Sequence, residues 1–508
     1  MFRATCLVVF TSLTIAADTG QLNTQLLSNA QHAEEPASLL WIASEQGSQQ
    51  AQQQLHDFAE QKQDGYWLEK LIGLGYAPAA LTLSRIEDNP RISQRLVRLA
   101  ARGGVAQAQY EFALSRDDYS HRASWLTAAA EQGLFEAQTA LADWYLLYQQ
   151  PELAEPWLAQ TADTDPQSAF QLAYLRWQHG EKEEAKALFE FAAEHEHEEA
   201  AEVLSVLNRY QPVSVSALRN QLASTLPDNW LTAQCRQRMQ PLATGLAEMV
   251  QADRIFRQFK RDRRLQSLSL CVATPQWLAD NTMRCDANWR GQGRLGCDIR
   301  PLAETVEANN ITHLMVLAQS GKANVNNGVM YLDVGDTYSV FVHELAHFVG
   351  FVDEYPLTAG LAREYCSRKT APNLVFLGEI TYAPLDNIAQ WQAIEFPVRL
   401  YPARTCHNIR QPSYKPSERM TFLENHDAKY IPPLYLSIWQ QRLNDPGVQR
   451  TVSMNLFQAF QRAKQTEQAA FWLDRVRQEK AAFLPLPAEP APDETLIDPD
   501  LTPKADIH

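Results

Sequence analysis

The sequence predicts an α+β protein: an N-terminal α-solenoid of helix-hairpin repeats, followed by a second domain organised on a mixed sheet. Three observations carry this. A pattern of one bulky residue, one turn residue and one small residue recurs six times before Leu207 and then stops. Every cysteine except Cys6 lies beyond that point. Short alternating runs then precede an apolar helical stretch containing H-E-x-x-H, from His343 to His347. A chain of 508 residues accommodates two or three domains. Its hydrophobic content of 45% and charged content of 21% are ordinary for soluble globular protein. A net charge of −15 argues against nucleic acid or anionic lipid as the main partner.

Residues 1–17 read as a secretory signal peptide. Arg3 precedes an apolar run from Cys6 to Ala17 that is too short to span a bilayer, and Ala16 and Ala17 are small enough for cleavage near Asp18. No other segment has the length and apolarity of a membrane span, so an exported product, periplasmic or extracellular, is expected. Residues 18–211 form the repeat domain. Its units align on Gly47, Gly75, Gly104, Gly133, Asp165 and His197, spaced by about 28 to 32 residues. Eight positions earlier stand Leu39, Trp67, Leu96, Trp125, Trp157 and Phe189. Four positions later stand Ala51, Ala79, Ala108, Ala137, Ala169 and Ala201. Each unit reads as a helix, a tight turn and a second helix opening on a small residue that lets the pair approach closely. Stretches such as Trp125-Leu-Thr-Ala-Ala-Ala-Glu-Gln-Gly133 resemble the Sel-type relatives of tetratricopeptide repeats, with shorter units. Such arrays imply a protein or peptide partner, or a brace for a neighbouring domain.

The second domain is assigned to residues 212–445. Its six cysteines follow an export signal and are even in number, which reads as up to three disulfides. The preferred pairing is Cys285 with Cys297, Cys366 with Cys406, and Cys235 with Cys271; the absence of C-x-x-C argues against a zinc–thiolate site. Arg257, Lys260, Arg261 and Arg263 read as the solvated face of a helix. Ser267 to Val272 alternates as a half-buried strand, Thr312 to Ala318 reads as a second, Ser320 to Asn327 as a loop, and Gly328 to Val334 as a third strand. In the motif, positions i and i+4 of a helix share a face, so His343 and His347 can present both imidazoles to one ion. Glu344 sits one residue round, placed to reach a water without being a ligand. Gly350 suits a left-handed helix end, after which Asp353 and Glu354 offer carboxylates for a third ligand.

The pattern H-E-x-x-H-x-x-G-x-x-D resembles the metzincin zinc proteases, with aspartate in place of their third histidine. The offset favours Asp353 over Glu354. The order of strands, loop, strand and motif helix, with D-E-Y after it, is similar to the immunoglobulin A peptidase family over roughly Ser267 to Tyr435. That resemblance implies a zincin domain holding one catalytic Zn²⁺ on His343, His347 and Asp353, with Glu344 as general base. It implies that the strand just before the motif helix is the sheet edge that pairs with an extended substrate. It also implies a methionine turn, for which Met420 is the candidate. Phe422 stands where some relatives carry a tyrosine, so Tyr355, His426 and Tyr414 are the alternative oxyanion donors; His407 and His426 are spare histidines.

Residues 446–484 read as a C-terminal helical hairpin, packed on the second domain or closing the repeats. Residues 485–508 read as a disordered, acidic, proline-rich tail. The expected function is an exported zinc metalloendopeptidase with a protein or peptide substrate, cell-wall peptide included. The alternative is a secreted repeat scaffold in which the zincin domain is inert or accessory.

Overall fold

The computed structural model describes residues 20–115, 119–279, 282–366, 371–376, 384–445 and 447–481. The expected signal peptide and acidic tail lie outside the described residues. The described residues fall into two compact units, divided between Leu204 and Ser205. No helix among them is long and apolar enough to cross a membrane.

The first unit is an array of helix pairs: Ala37–Glu45 with Gln49–Lys62, Gly65–Gly73 with Ala77–Ile86, Pro90–Arg102 with Ala106–Leu114, Tyr119–Ala130 with Phe135–Leu147, and Pro151–Thr161 with Pro166–Gln178. Lys182–Glu194 begins a sixth pair with Glu198–Arg209. Side-chain caps at Ser48, Asp64, Asn89 and Asp165 satisfy the first backbone N–H groups of four of these helices. Gly47, Gly75, Gly104 and Gly133 all adopt the left-handed conformation that ends a first helix. The small residues do what the pattern implies: Ala51, Ala79, Ala108, Ala137 and Ala169 are fully buried between helices.

The sixth unit departs from the alignment by one residue. Glu196, not His197, takes the left-handed turn position, and Nδ1 of His197 accepts the N–H of Ala200 at the next helix start. The buried alanine is therefore Ala200, while Ala201 is exposed. Phe189, fully buried, falls in register with Leu40, Leu68, Leu126 and Leu158 rather than with the tryptophans.

The second unit is built on a mixed sheet. Its strands are β1 Gln237–Ala243, β2 Leu270–Val272, β3 Gln276–Trp277, β4 His313–Leu317, β5 Asn324–Asn326 and β6 Val329–Leu332, in the order β2-β1-β4-β6-β5, with β3 also on β1. All pairings are parallel except β5 on β6. Two expectations are corrected here. The run just before the motif helix, β6, is an interior strand, flanked by β4 and β5. The edge on this side of the sheet is β5, inside the stretch read as a loop. Asn327 and Gly328, at φ of 44° and 79°, make the tight turn that folds β5 back on β6. A Cβ on Gly328 would stand 2.1 Å from the backbone N of Val452, so no larger residue fits.

The long helix Leu246–Arg261 packs on the sheet and on the motif helix Tyr338–His347, with Phe259 edge-on to Phe341. Helices Val452–Arg462 and Thr466–Ala481 place Val452, Leu456, Phe460 and Trp472 in the same core as Val316, Val329 and Tyr331. The C-terminal hairpin thus packs on the second unit's sheet. The three disulfides close as expected: Cys235–Cys271, Cys285–Cys297 and Cys366–Cys406. They indicate an oxidising environment for the folded chain.

Candidate metal centre

The motif helix presents its apolar face inward through Phe341, Val342, Leu345 and Ala346, all buried. Its hydrogen-bonded turns bring His343 and His347 into register on one side. The helix stops at His347. Gly350, at φ of 87°, turns the chain back, and a Cβ there would meet the Arg442 guanidinium at 2.8 Å. Arg442 Nε donates to the carbonyl of Val349, which fixes that turn.

The reversal carries Asp353 back to the histidines. Its Oδ1 lies 2.9 Å from Nε2 of His343 and 3.2 Å from Nε2 of His347, and the two Nε2 atoms are 3.2 Å apart. Nδ1 of His343 faces the carbonyl of Phe422 at 2.9 Å, and Nδ1 of His347 faces the carbonyl of Phe351 at 2.9 Å. A carbonyl only accepts, so both Nδ1 atoms carry a proton, and each ring, when neutral, turns a lone pair inward on Nε2. Oδ1 of Asp353 is buried and receives no hydrogen bond. With both rings neutral, three lone-pair atoms converge on one point, an arrangement that repels itself unless an ion or a proton sits between.

That geometry fits a small divalent ion. Metal–ligand bonds of about 2.0–2.1 Å in a tetrahedron put ligand atoms about 3.3 Å apart, close to the 2.9–3.2 Å seen here. A proton is the other source of positive charge. Burial disfavours it on His347, but the Asp353 carboxylate outweighs burial, and the imidazole is pushed up to about 9. Burial would likewise raise Asp353, but the two imidazoles hold it far below the ordinary carboxylate range.

Glu344 offers a carboxylate oxygen within 4.8 Å of the ligand atoms of both histidines. Asp353 lies 2.9 and 3.2 Å from the two Nε2 atoms, so both carboxylates stand where they could reach an ion held by the histidines. Glu344, His347, Asp353 and Tyr355 line a common cleft of about 480 Å³, with Val325 of the edge strand β5 on its wall. Tyr355 stacks near His343, ring centres 6.3 Å apart, and donates its hydroxyl to Asp353. Burial, then the Asp353 charge, hold that phenol well above the ordinary tyrosine range, so it stays a donor.

Glu354, the rival third ligand, is fully buried and turned elsewhere. It accepts from Thr421 at 2.5 Å, Tyr435 at 2.6 Å and Asn373 at 3.1 Å, and pairs with Lys415 at 3.3 Å. Asn373 also brackets Val352, accepting from its N–H and donating to its carbonyl, and Thr405 donates to the carbonyl of Asp353 at 2.7 Å. Cys406, next to Thr405, ties this loop through its disulfide to Cys366. These clamps hold the Asp353 loop in place; of the side chains that make their hydrogen bonds, the sequence singles out only Glu354, and as a ligand.

Other candidates do not converge. Met420 is 54% exposed and serves neither as a methionine base nor as a core residue. The contribution at this place is the backbone carbonyl of Phe422. His426 lines a different cleft, with Tyr338 and Gln251, and Tyr414 sits in the small sheet of Val375–Phe376, Tyr401–Ala403 and Ser413–Lys415. His407 lies in a short turn outside the site.

These features define a helical-repeat array and a second unit whose mixed sheet backs a His–His–Asp cluster. No family model matches the chain, and no curated protein matches it. Among solved structures, a Sel1 repeat protein from Oxalobacter formigenes is similar at 15% identity and a TM-score of 0.27, over 35% of this chain and 88% of that one.

Proposed function

We propose that the chain is an exported zinc-dependent metalloendopeptidase, resembling metzincins and the immunoglobulin A peptidase family in its second unit. The observation that carries this reading is the convergence of two imidazole lone pairs and an orphaned carboxylate oxygen, with a second carboxylate beside them, in an open cleft. His343, His347 and Asp353 would hold the ion. When bound, zinc supplies a Lewis acid that makes water a nucleophile near neutral pH. Glu344 takes the proton of the attacking water and returns it to the departing amine. Tyr355 donates its hydroxyl to Asp353 and holds that carboxylate in orientation. The unpaired side of β5 offers main-chain groups to an extended polypeptide, aligning its scissile bond with Glu344. The repeat array is assigned to a protein or peptide partner.

The test is cleavage of a quenched peptide library by the full chain and by Glu344→Gln. The variant should retain zinc and lose at least about a hundredfold in cleavage. Full activity in that variant would end the proposal.

A further inference from the structure

The cleft beside Glu344 does not end at the Asn327–Gly328 turn. Asn327, Gly447 and Arg450 line it and also line a second space of about 740 Å³. Among the described residues, five basic residues line this second space, Arg236, Arg238, Arg450, Arg475 and Lys480, against one acid, Glu479. Glu479 is already engaged, accepting from Thr451 at 2.5 Å and Ser453 at 2.8 Å and lying 3.6 Å from Arg475. Arg238 is crowded: burial holds its guanidinium below the ordinary arginine range despite the attraction of Glu479, and Arg475 and Arg236 add a smaller repulsion.

This basic excess runs against the composition, since the chain carries 60 acidic and 45 basic residues. Like charges gathered in one concavity repel one another and focus a positive field into it. A ligand with carboxylates relieves that repulsion and is drawn in by the field. The position names the ligand: a chain paired along β5 and continuing past Asn327 runs into this space.

We propose that the basic space is a specificity subsite that seats acidic side chains of the polypeptide substrate on one side of the scissile bond. Arg450 and Lys480 are its recognition residues; Arg238 and Arg475, already hydrogen-bonded within the fold, contribute charge to the field. This rests on the peptidase reading of the adjoining centre, and binding separates the two.

The experiment is fluorescence anisotropy on full-length Glu344→Gln. The probes are a labelled ten-residue peptide with glutamate at alternate positions and its glutamine counterpart. The glutamate peptide should bind at least tenfold more tightly at low ionic strength. The preference should shrink at high salt and invert in the additional variant Arg450→Glu/Lys480→Glu. Equal binding of both peptides, or a preference that survives charge reversal, overturns the subsite. Binding that emerges only when residues 485–508 are removed overturns the substrate assignment and gives the space to the chain's own acidic tail. A glutamate preference in a protein that cleaves nothing keeps the acidic-peptide seat and ends the peptidase reading alone.

Discussion

Substituting Glu354→Ala should loosen the loop that carries Asp353, the proposed third ligand, without removing a proposed ligand. The magnitude follows from what the carboxylate holds. It is fully buried and accepts from Thr421, Tyr435 and Asn373, and it pairs with Lys415, itself 3% exposed at the side chain. Truncating one partner of a buried ion pair costs about 3–5 kcal/mol. Lys415 keeps Glu424 at 2.5 Å and Asn373 keeps Val352, so the effect belongs near the lower end, about 3 kcal/mol. Because the loss is local, hydrogen exchange reads it directly. The amide of Glu354 bonds to the carbonyl of Leu423, and the amide of Arg404 bonds to the carbonyl of Glu354. Both should exchange roughly a hundredfold faster in the variant, with amides of the repeat helices unchanged. Unchanged protection of these two amides would refute the clamp. Complete loss of zinc with unchanged exchange would instead make Glu354 the ligand.

Two further outcomes follow from the same geometry. Against the opposing effect of burial, the Asp353 carboxylate pushes His347 up to about 9 when no metal is bound, so at neutral pH a proton on the imidazole competes with zinc. Apparent zinc affinity should therefore rise about tenfold per pH unit towards 9 and level off above it; calorimetry showing no dependence between pH 6 and 8 would contradict this. In the repeats, Ala200→Leu should destabilise by about 1–3 kcal/mol through overpacking, while Ala201→Leu should stay within about 0.5 kcal/mol. Thermal melts with the reverse order would restore the original register.

The sequence made the repeats legible because glycine and alanine are demanded by backbone shape, and the slip in the sixth unit arose where glutamate replaced glycine at the turn. The convergence of the motif histidines and Asp353 was legible because spacing constrains it; the disulfide pairing was a preference that spacing does not decide. The central strand β1 was not. Gln237, Gln240 and Pro241 give it no alternation, since both faces are buried. Pro241 is tolerated because the pairing to β2 ends at Met239 and that to β3 begins at Leu242, so no bond is asked of its missing N–H on that side. The edge strand was hidden by its three-residue length, although Asn327-Gly328 is a hairpin signal that could have found it. The carbonyls of Phe351 and Phe422 leave no trace in side-chain identity, because any residue supplies them.

The most direct measurement is zinc content after dialysis of the full chain and of Asp353→Ala, by atomic emission. The convergence of His343, His347 and Asp353 predicts about one equivalent in the parent protein and nearly none in the variant. Equal zinc in both, or none in the parent after reconstitution, would contradict the assignment of this cluster as a metal centre.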